Sequence, residues 1–98
     1  MSFLLERRLR STSSRLSSLR EELRVAEEQL AFFVEITEDS RIRALVSETP
    51  LADEEHRDAE RSSTAMHRHA DSLKAEIAKL EDEQDDLLDQ LMAKKAKK

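Results

Sequence analysis

Apolar side chains recur through both halves of this chain at spacings that alternate between three and four residues. Such a repeat lines one side of an α-helix with apolar groups and is typical of the seam of a coiled coil. In the first half it runs through Leu5, Leu9, Thr12, Leu16, Leu19, Leu23, Ala26, Leu30, Phe33, Thr37, Ser40 and Ala44. In the second half it runs through Ala52, His56, Ala59, Ser63, Met66, Ala70, Leu73, Ile77, Leu80, Gln84, Leu87 and Leu91. These two sets, called the seam stripes below, predict two long helices.

One strong turn signal separates the two stripes, at Ser47-Glu48-Thr49-Pro50. Proline disfavours helix at the residue before it but suits the first position of a new helix, for which Thr49 provides an N-cap. The chain has no glycine and this single proline, so turn residues are almost absent elsewhere. We predict one domain over residues 1–98, with helix one over about 3–46, a turn over 47–50, helix two over about 50–94 and a basic tail over 94–98.

Folding the chain back at this turn makes the two stripes match. The numbers of every facing pair add to 96, as for Leu16 with Leu80 and Leu19 with Ile77. Large residues then meet large ones far from the turn, and Thr12 opposite Gln84 forms a polar layer that would fix the register. The sequence therefore predicts an all-α fold, a long antiparallel two-helix coiled-coil hairpin that could dimerise into a four-helix bundle.

Charge is unevenly placed along the chain. The net charge of −5 disfavours broad nucleic-acid binding, which needs a basic surface. Antiparallel pairing would lay the arginine-rich residues 1–20 along the acidic stretch 81–89, which favours this alignment. No apolar run is long enough to cross a bilayer, and we expect a cytoplasmic protein. The arginine- and serine-rich start is also typical of an organellar transit peptide, but it continues the coiled-coil repeat.

A two-helix hairpin half-buries its seam, so the isolated hairpin should be marginally stable and we expect self-association or a protein partner. Val25, Phe32 and Ile36 form an apolar strip beside the seam, with small residues on the same side of helix two: Ser62, Ala65 and Ser72. We interpret this strip as a contact surface for another helix. The alternative is that the three side chains only widen the intramolecular seam.

A second apolar patch is expected near the turn, where Ile42, Leu45 and Val46 project away from the seam and Leu51 follows closely. If helix one is continuous, these residues form an exposed tip on which a partner can dock. Alternatively, the helix breaks within residues 36–40, and a short helix over 40–47 folds back and buries them. The two alternatives differ on whether a charge at Leu45 would abolish binding or folding.

Acidic residues also crowd the turn end of the predicted hairpin, at Glu48, Asp53, Glu54 and Glu55. In architecture this resembles the bacterial Gre-type transcript-cleavage factors, whose hairpin carries tip carboxylates into the RNA polymerase secondary channel to hold a metal ion. The resemblance implies a regulator that inserts its acidic tip into a polymerase. The chain lacks that family's tip signature and its globular domain. The alternative is that carboxylates near the start of helix two only stabilise that helix by interacting with its dipole.

No residue pattern indicates an enzyme, and we expect no catalytic residue, cofactor or metal site. His67 and His69 are two positions apart and cannot share one face of a helix, so they do not form a ligand pair. His56 lies in the stripe opposite Ser40, where a hydrogen-bonded structural role is expected. We therefore predict a non-enzymatic protein-interaction module, a scaffold or adaptor that forms a homodimer and binds an unidentified protein.

Overall fold

A computed structural model of the chain describes residues 2–96, and these form two α-helices. Helix α1 spans Phe3–Ser47 and helix α2 spans Pro50–Ala96. The two helices run antiparallel, and the described residues contain no strand. The predicted all-α helical hairpin is confirmed. Helix α1 continues without interruption through residues 36–40, so the alternative of a break there is wrong.

The turn between the helices is made without glycine. The N–H of Glu48 donates to the carbonyl of Ala44 at 3.1 Å, and Glu48 takes a left-handed backbone conformation with φ of 51°. Thr49 then caps α2, because its Oγ1 accepts a hydrogen bond from the N–H of Ala52 at 3.2 Å. A glutamate therefore occupies the position after a helix that usually belongs to glycine.

The far end of α2 is basic, as the sequence indicated. Lys94 and Lys95 lie in the last turn of the helix, where positive charge suits the helix dipole. The remainder of the predicted basic tail, Lys97 and Lys98, lies outside the described residues. No helix in the described part of the chain is long and apolar enough to cross a membrane.

The hairpin divides into two compact units, each built from both helices. We call the middle one, Leu23–Ser72, the turn unit. The other, called the terminal unit, contains the chain up to Glu22 and the chain from Leu73 onward. Each unit has its own core, formed where the seam stripes of the two helices meet.

The core of the terminal unit consists of leucine and isoleucine side chains. Leu16 and Leu19 are completely buried, and the other buried members are Leu5, Leu73, Ile77 and Leu87. A polar layer lies beside them, because Thr12 and Gln84 are both half-buried in the seam. The side-chain amide of Gln84 donates to Oγ of Ser13, the neighbour of Thr12, at 2.9 Å.

The core of the turn unit uses smaller side chains. Ala26, Ala52 and Ala70 are buried, and so is the polar residue Ser40. Small side chains allow the two helix backbones to approach closely. Oγ1 of Thr37 consequently reaches across the seam to within 3.1 Å of the carbonyl oxygen of Ala59. This pair of residue numbers adds to 96, as the stripe pairing predicts.

Candidate interaction surfaces

The tip surface, defined as Ile42, Leu45, Val46 and Leu51, is exposed in the turn unit. The exposed fractions of the residues are 49%, 65%, 79% and 65%, respectively. Every stripe position, by contrast, is buried or half-buried. The unbroken α1 carries Ile42, Leu45 and Val46 on the sides of the helix that point away from α2, and Leu51 lies at the start of α2. Contiguous exposed apolar side chains of this kind are typical of a contact site.

The flank surface is the second apolar area of the turn unit. Val25 is 38% exposed and Phe32 is 61% exposed, while Ile36 is half-buried. The ring of Phe32 packs in an edge-type contact with the half-buried ring of Phe33, with ring centroids 6.0 Å apart and an angle of 61° between the planes. Most of the Phe32 side chain is therefore left facing solvent, whereas Ile36 is partly covered at the margin of the seam.

Helix α2 contributes small side chains to the flank surface. Ser62, Ala65 and Ser72 are exposed, and they occupy heptad positions equivalent to those of Val25, Phe32 and Ile36. Antiparallel pairing brings equivalent positions of two helices to the same side of the seam. The flank therefore presents bulky side chains on α1 beside small ones on α2.

The acidic residues near the turn are exposed. Asp53 lies in the first turn of α2, and its N–H donates to the carbonyl of Thr49 at 3.1 Å. Glu48, Glu54 and Glu55 are exposed as well. Within the described residues, no group of three or more histidine, cysteine, aspartate or glutamate side chains is arranged to hold a metal ion. The position of Asp53 is one at which a carboxylate stabilises a helix dipole.

A serine, a histidine and a glutamate form a hydrogen-bonded row in the turn unit. Oγ of Ser40 lies 3.0 Å from Nδ1 of His56, and Nε2 of His56 lies 2.6 Å from a carboxylate oxygen of Glu60. The sequence indicated the first pair but not Glu60. The signal for it was present, because residues four apart on a helix are neighbours.

The same three residue types occur in hydrolytic triads, but the geometry here differs from a nucleophilic site. Ser40 is only 2% exposed, and its Oγ also lies 2.8 Å from the carbonyl oxygen of Thr37. A substrate cannot reach a hydroxyl that is enclosed between two packed helices. The row instead satisfies the polar groups of the seam, and no buried side-chain nitrogen or oxygen among the described residues lacks a hydrogen-bond partner.

Ion pairs on the helix surfaces are mostly between neighbours on one helix. Arg41 binds Glu38 through two hydrogen bonds of 2.7 and 3.1 Å. These hydrogen bonds, and secondly the positive charge of Arg41, lower the pKa of the Glu38 carboxyl below its ordinary value. The same contacts raise the pKa of Arg41. Both groups are exposed, so the pair is a local surface feature.

Comparisons with known proteins return no relative. No protein-family model matches the chain, and neither a curated protein nor a solved structure is significantly similar to it.

Proposed function

We propose that the protein is a non-enzymatic interaction module, a scaffold or adaptor that binds a partner protein through its tip surface. The single observation that supports this is the exposure of four large aliphatic side chains next to the turn. A hairpin with no interaction at this end could carry polar residues there at no cost to its seam. Aliphatic groups held in water instead favour burial against another protein.

The experiment compares capture of partners by the wild type and by a tip variant in the native host. In the variant, Leu45→Glu and Val46→Glu place two charges on the tip, and circular dichroism should show unchanged helix content because both side chains are exposed. We expect a partner that is retained by the wild type, identified by mass spectrometry, and lost from the variant. Identical protein sets from both chains would contradict the proposal.

A matched variant distinguishes this proposal from the alternative, in which the acidic residues contact the partner. Asp53→Asn with Glu54→Gln and Glu55→Gln removes three charges near the tip while keeping side-chain size. An adaptor that binds through the apolar tip should keep its partner in this variant. A regulator that inserts tip carboxylates into a polymerase should lose it, and its partner would be that enzyme. The expected cytoplasmic location also stays a prediction, which imaging of a fluorescent fusion would test.

A further inference from the structure

In the turn unit, the side of α2 that points away from the seam is basic. Arg57, Arg61 and Arg68 lie on this side, and together with Thr64 they line a shallow, open groove. Among the described residues, Arg57 and Arg68 make no ion pair, whereas Arg61 binds Asp58 on its own helix. The three guanidinium groups, called the basic face below, are exposed and can bind carboxylates of another molecule.

In the terminal unit, the corresponding heptad positions of α2 carry aspartates. Asp82, Asp85 and Asp89 are exposed, and within the described part of the chain none of them makes an ion pair. The ion pairs between α2 and α1 use Glu76 and Glu81 instead, which lie next to the seam. We call the three aspartates the acidic face. Each face therefore lies within a single unit and carries charge that its own chain leaves largely unneutralised.

The spacing of the two faces matches when the two helices run in opposite directions. The basic face steps by four, three and four residues through Arg57, Arg61, Thr64 and Arg68. The acidic face makes the same steps when read backwards through Asp89, Asp85, Asp82 and Ala78. Placing Arg57 opposite Asp89 puts Arg61 opposite Asp85. Arg68 then lies one helical turn from Asp82, so each arginine has a carboxylate within reach.

Other antiparallel alignments of the two faces are less favourable. A shift by one heptad in one direction lays Glu54 on Asp85. A shift by one heptad in the other direction lays Asp71 on Asp82. Like charges brought together in this way repel each other, so the charge pattern selects one register.

The edges of the selected register add one unfavourable and one favourable contact. At one edge Asp58 approaches Asp86, but the guanidinium of Arg61 already binds Asp58 and offsets this repulsion. At the other edge Asp53 approaches Lys95, and these opposite charges attract each other. The arginine–aspartate pairs between the edges therefore decide the sign of the interaction.

We propose that the basic face of one copy binds the acidic face of a second copy, with the two α2 helices antiparallel. The occupant of the basic face is a second copy of this chain, and the match between the faces depends only on the arrangement of residues inside each unit. The contact lies outside the tip surface, so it goes beyond the proposed function. An adaptor that self-associates in this way presents more than one tip surface, which strengthens binding to a multivalent partner.

Exchanging the charges of the two faces tests the contact. Arg57→Glu with Arg61→Glu makes the basic face acidic, and Asp85→Arg with Asp89→Arg makes the acidic face basic. Sedimentation equilibrium at low ionic strength should show self-association of the wild type, weakened by about tenfold or more in each variant. A chain with all four substitutions should associate as the wild type does, because its two faces are complementary again.

The wild type and the fourfold variant decide the outcome. A wild type that stays monomeric at low ionic strength, or a fourfold variant that associates no better than the two partial variants, would overturn the proposal. Association that strengthens as salt is added would do the same, because salt screens exposed charges. The matched control is Arg41→Glu with Arg43→Glu, which changes the net charge equally but lies on α1. This control should weaken association far less, and an equal loss would contradict the assigned faces.

Disulfide crosslinking measures the relative direction of the two helices. The chain has no cysteine, so introduced thiols react only with each other. In the antiparallel register Glu54 of one copy lies opposite Met92 of the other. Mixed chains carrying Glu54→Cys and Met92→Cys should therefore form a disulfide on mild oxidation. A parallel contact, which leaves Arg57 facing Ala78, would instead join Glu54→Cys to Ala75→Cys, and that product would refute the proposed direction.

The tip variant separates this contact from the proposed function. Leu45→Glu with Val46→Glu should self-associate as the wild type does, because neither residue belongs to the two faces. A monomeric wild type that still captures its partner through the tip would refute the contact between copies and leave the proposed function standing.

Discussion

Oγ of Ser40 and Nδ1 of His56 lie 3.0 Å apart across the seam of the turn unit, where Ser40 is almost completely enclosed. The hydroxyl also lies within hydrogen-bonding distance of the carbonyl of Thr37. A polar pair thus occupies the seam where an apolar pair could have packed, and it links the two helices near the turn.

Removing one member of this pair should cost more than removing both. Ser40→Ala leaves the imidazole facing an apolar wall, and we expect the free energy of unfolding to fall by about 1–3 kcal/mol. Combining Ser40→Ala with His56→Leu replaces the pair by apolar groups and should recover most of that loss. Urea unfolding of the wild type, both single variants and the double variant measures the coupling. Additive effects would show that the hydrogen bond makes no contribution.

Leu19 is fully buried in the seam of the terminal unit, so truncating its side chain should strongly reduce the stability of the fold. Leu19→Ala is expected to lower the free energy of unfolding by about 2–5 kcal/mol, through lost burial and the cavity left behind. Leu4→Ala provides the control on the same helix, because Leu4 is 68% exposed and should change stability by less than about 0.5 kcal/mol. Equal effects of the two substitutions in thermal unfolding would contradict the assignment of the core.

Glu48 holds a left-handed conformation that glycine adopts without steric cost. We expect Glu48→Gly to raise the thermal midpoint slightly, because relief of the strain, about 1 kcal/mol, outweighs the added freedom of the unfolded chain. Glu48→Val should lower it, since a β-branched residue tolerates this conformation poorly. The opposite order of the two variants in calorimetry would show that the turn has a different backbone geometry.

The Glu38 carboxyl should titrate below its ordinary range, because Arg41 donates hydrogen bonds to it and lies beside it with a positive charge. Its pKa is lower in the folded chain than in the unfolded one, so its contribution to stability is complete above the unfolded value and is lost as pH falls through the folded value. Carbon-detected NMR titration of Glu38 measures this directly. In Arg41→Gln the titration midpoint should move upward, and an unchanged midpoint would contradict the attribution.

The fold could be predicted from the sequence to an unusual depth, because one physical pattern controls it. All the stripe positions, from Leu5 to Leu91, are buried or half-buried. Outside the stripes, the only described residues that are not exposed are Ser2, Glu6 and Ile36, which are half-buried. Apolar spacing determines which side of each helix is covered, and the proline marks where the chain reverses. Those two signals require no knowledge of distant contacts.

The surfaces were less predictable, for identifiable reasons. The sequence left open whether α1 breaks near Thr37, because threonine and serine can either cap a new helix or bond back to the preceding turn. Here Oγ1 of Thr37 donates a hydrogen bond of 2.7 Å to the carbonyl oxygen of Phe33, four residues earlier, and the helix continues. Whether the flank or the tip binds another molecule depends on surfaces that belong to that molecule, about which this chain carries no direct signal.

Thr37 pairs with Ala59 and Ser40 pairs with His56 across the seam. These contacts require the two helical arms of the turn unit, one on each side of the turn, to have matched lengths. One extra residue in a single arm would rotate everything beyond it by about 100° and turn its stripe out of the seam. Evolutionary change in this region must therefore add or remove whole heptads from both arms together. Homologous chains should accordingly differ in size by multiples of fourteen residues, distributed symmetrically about the proline.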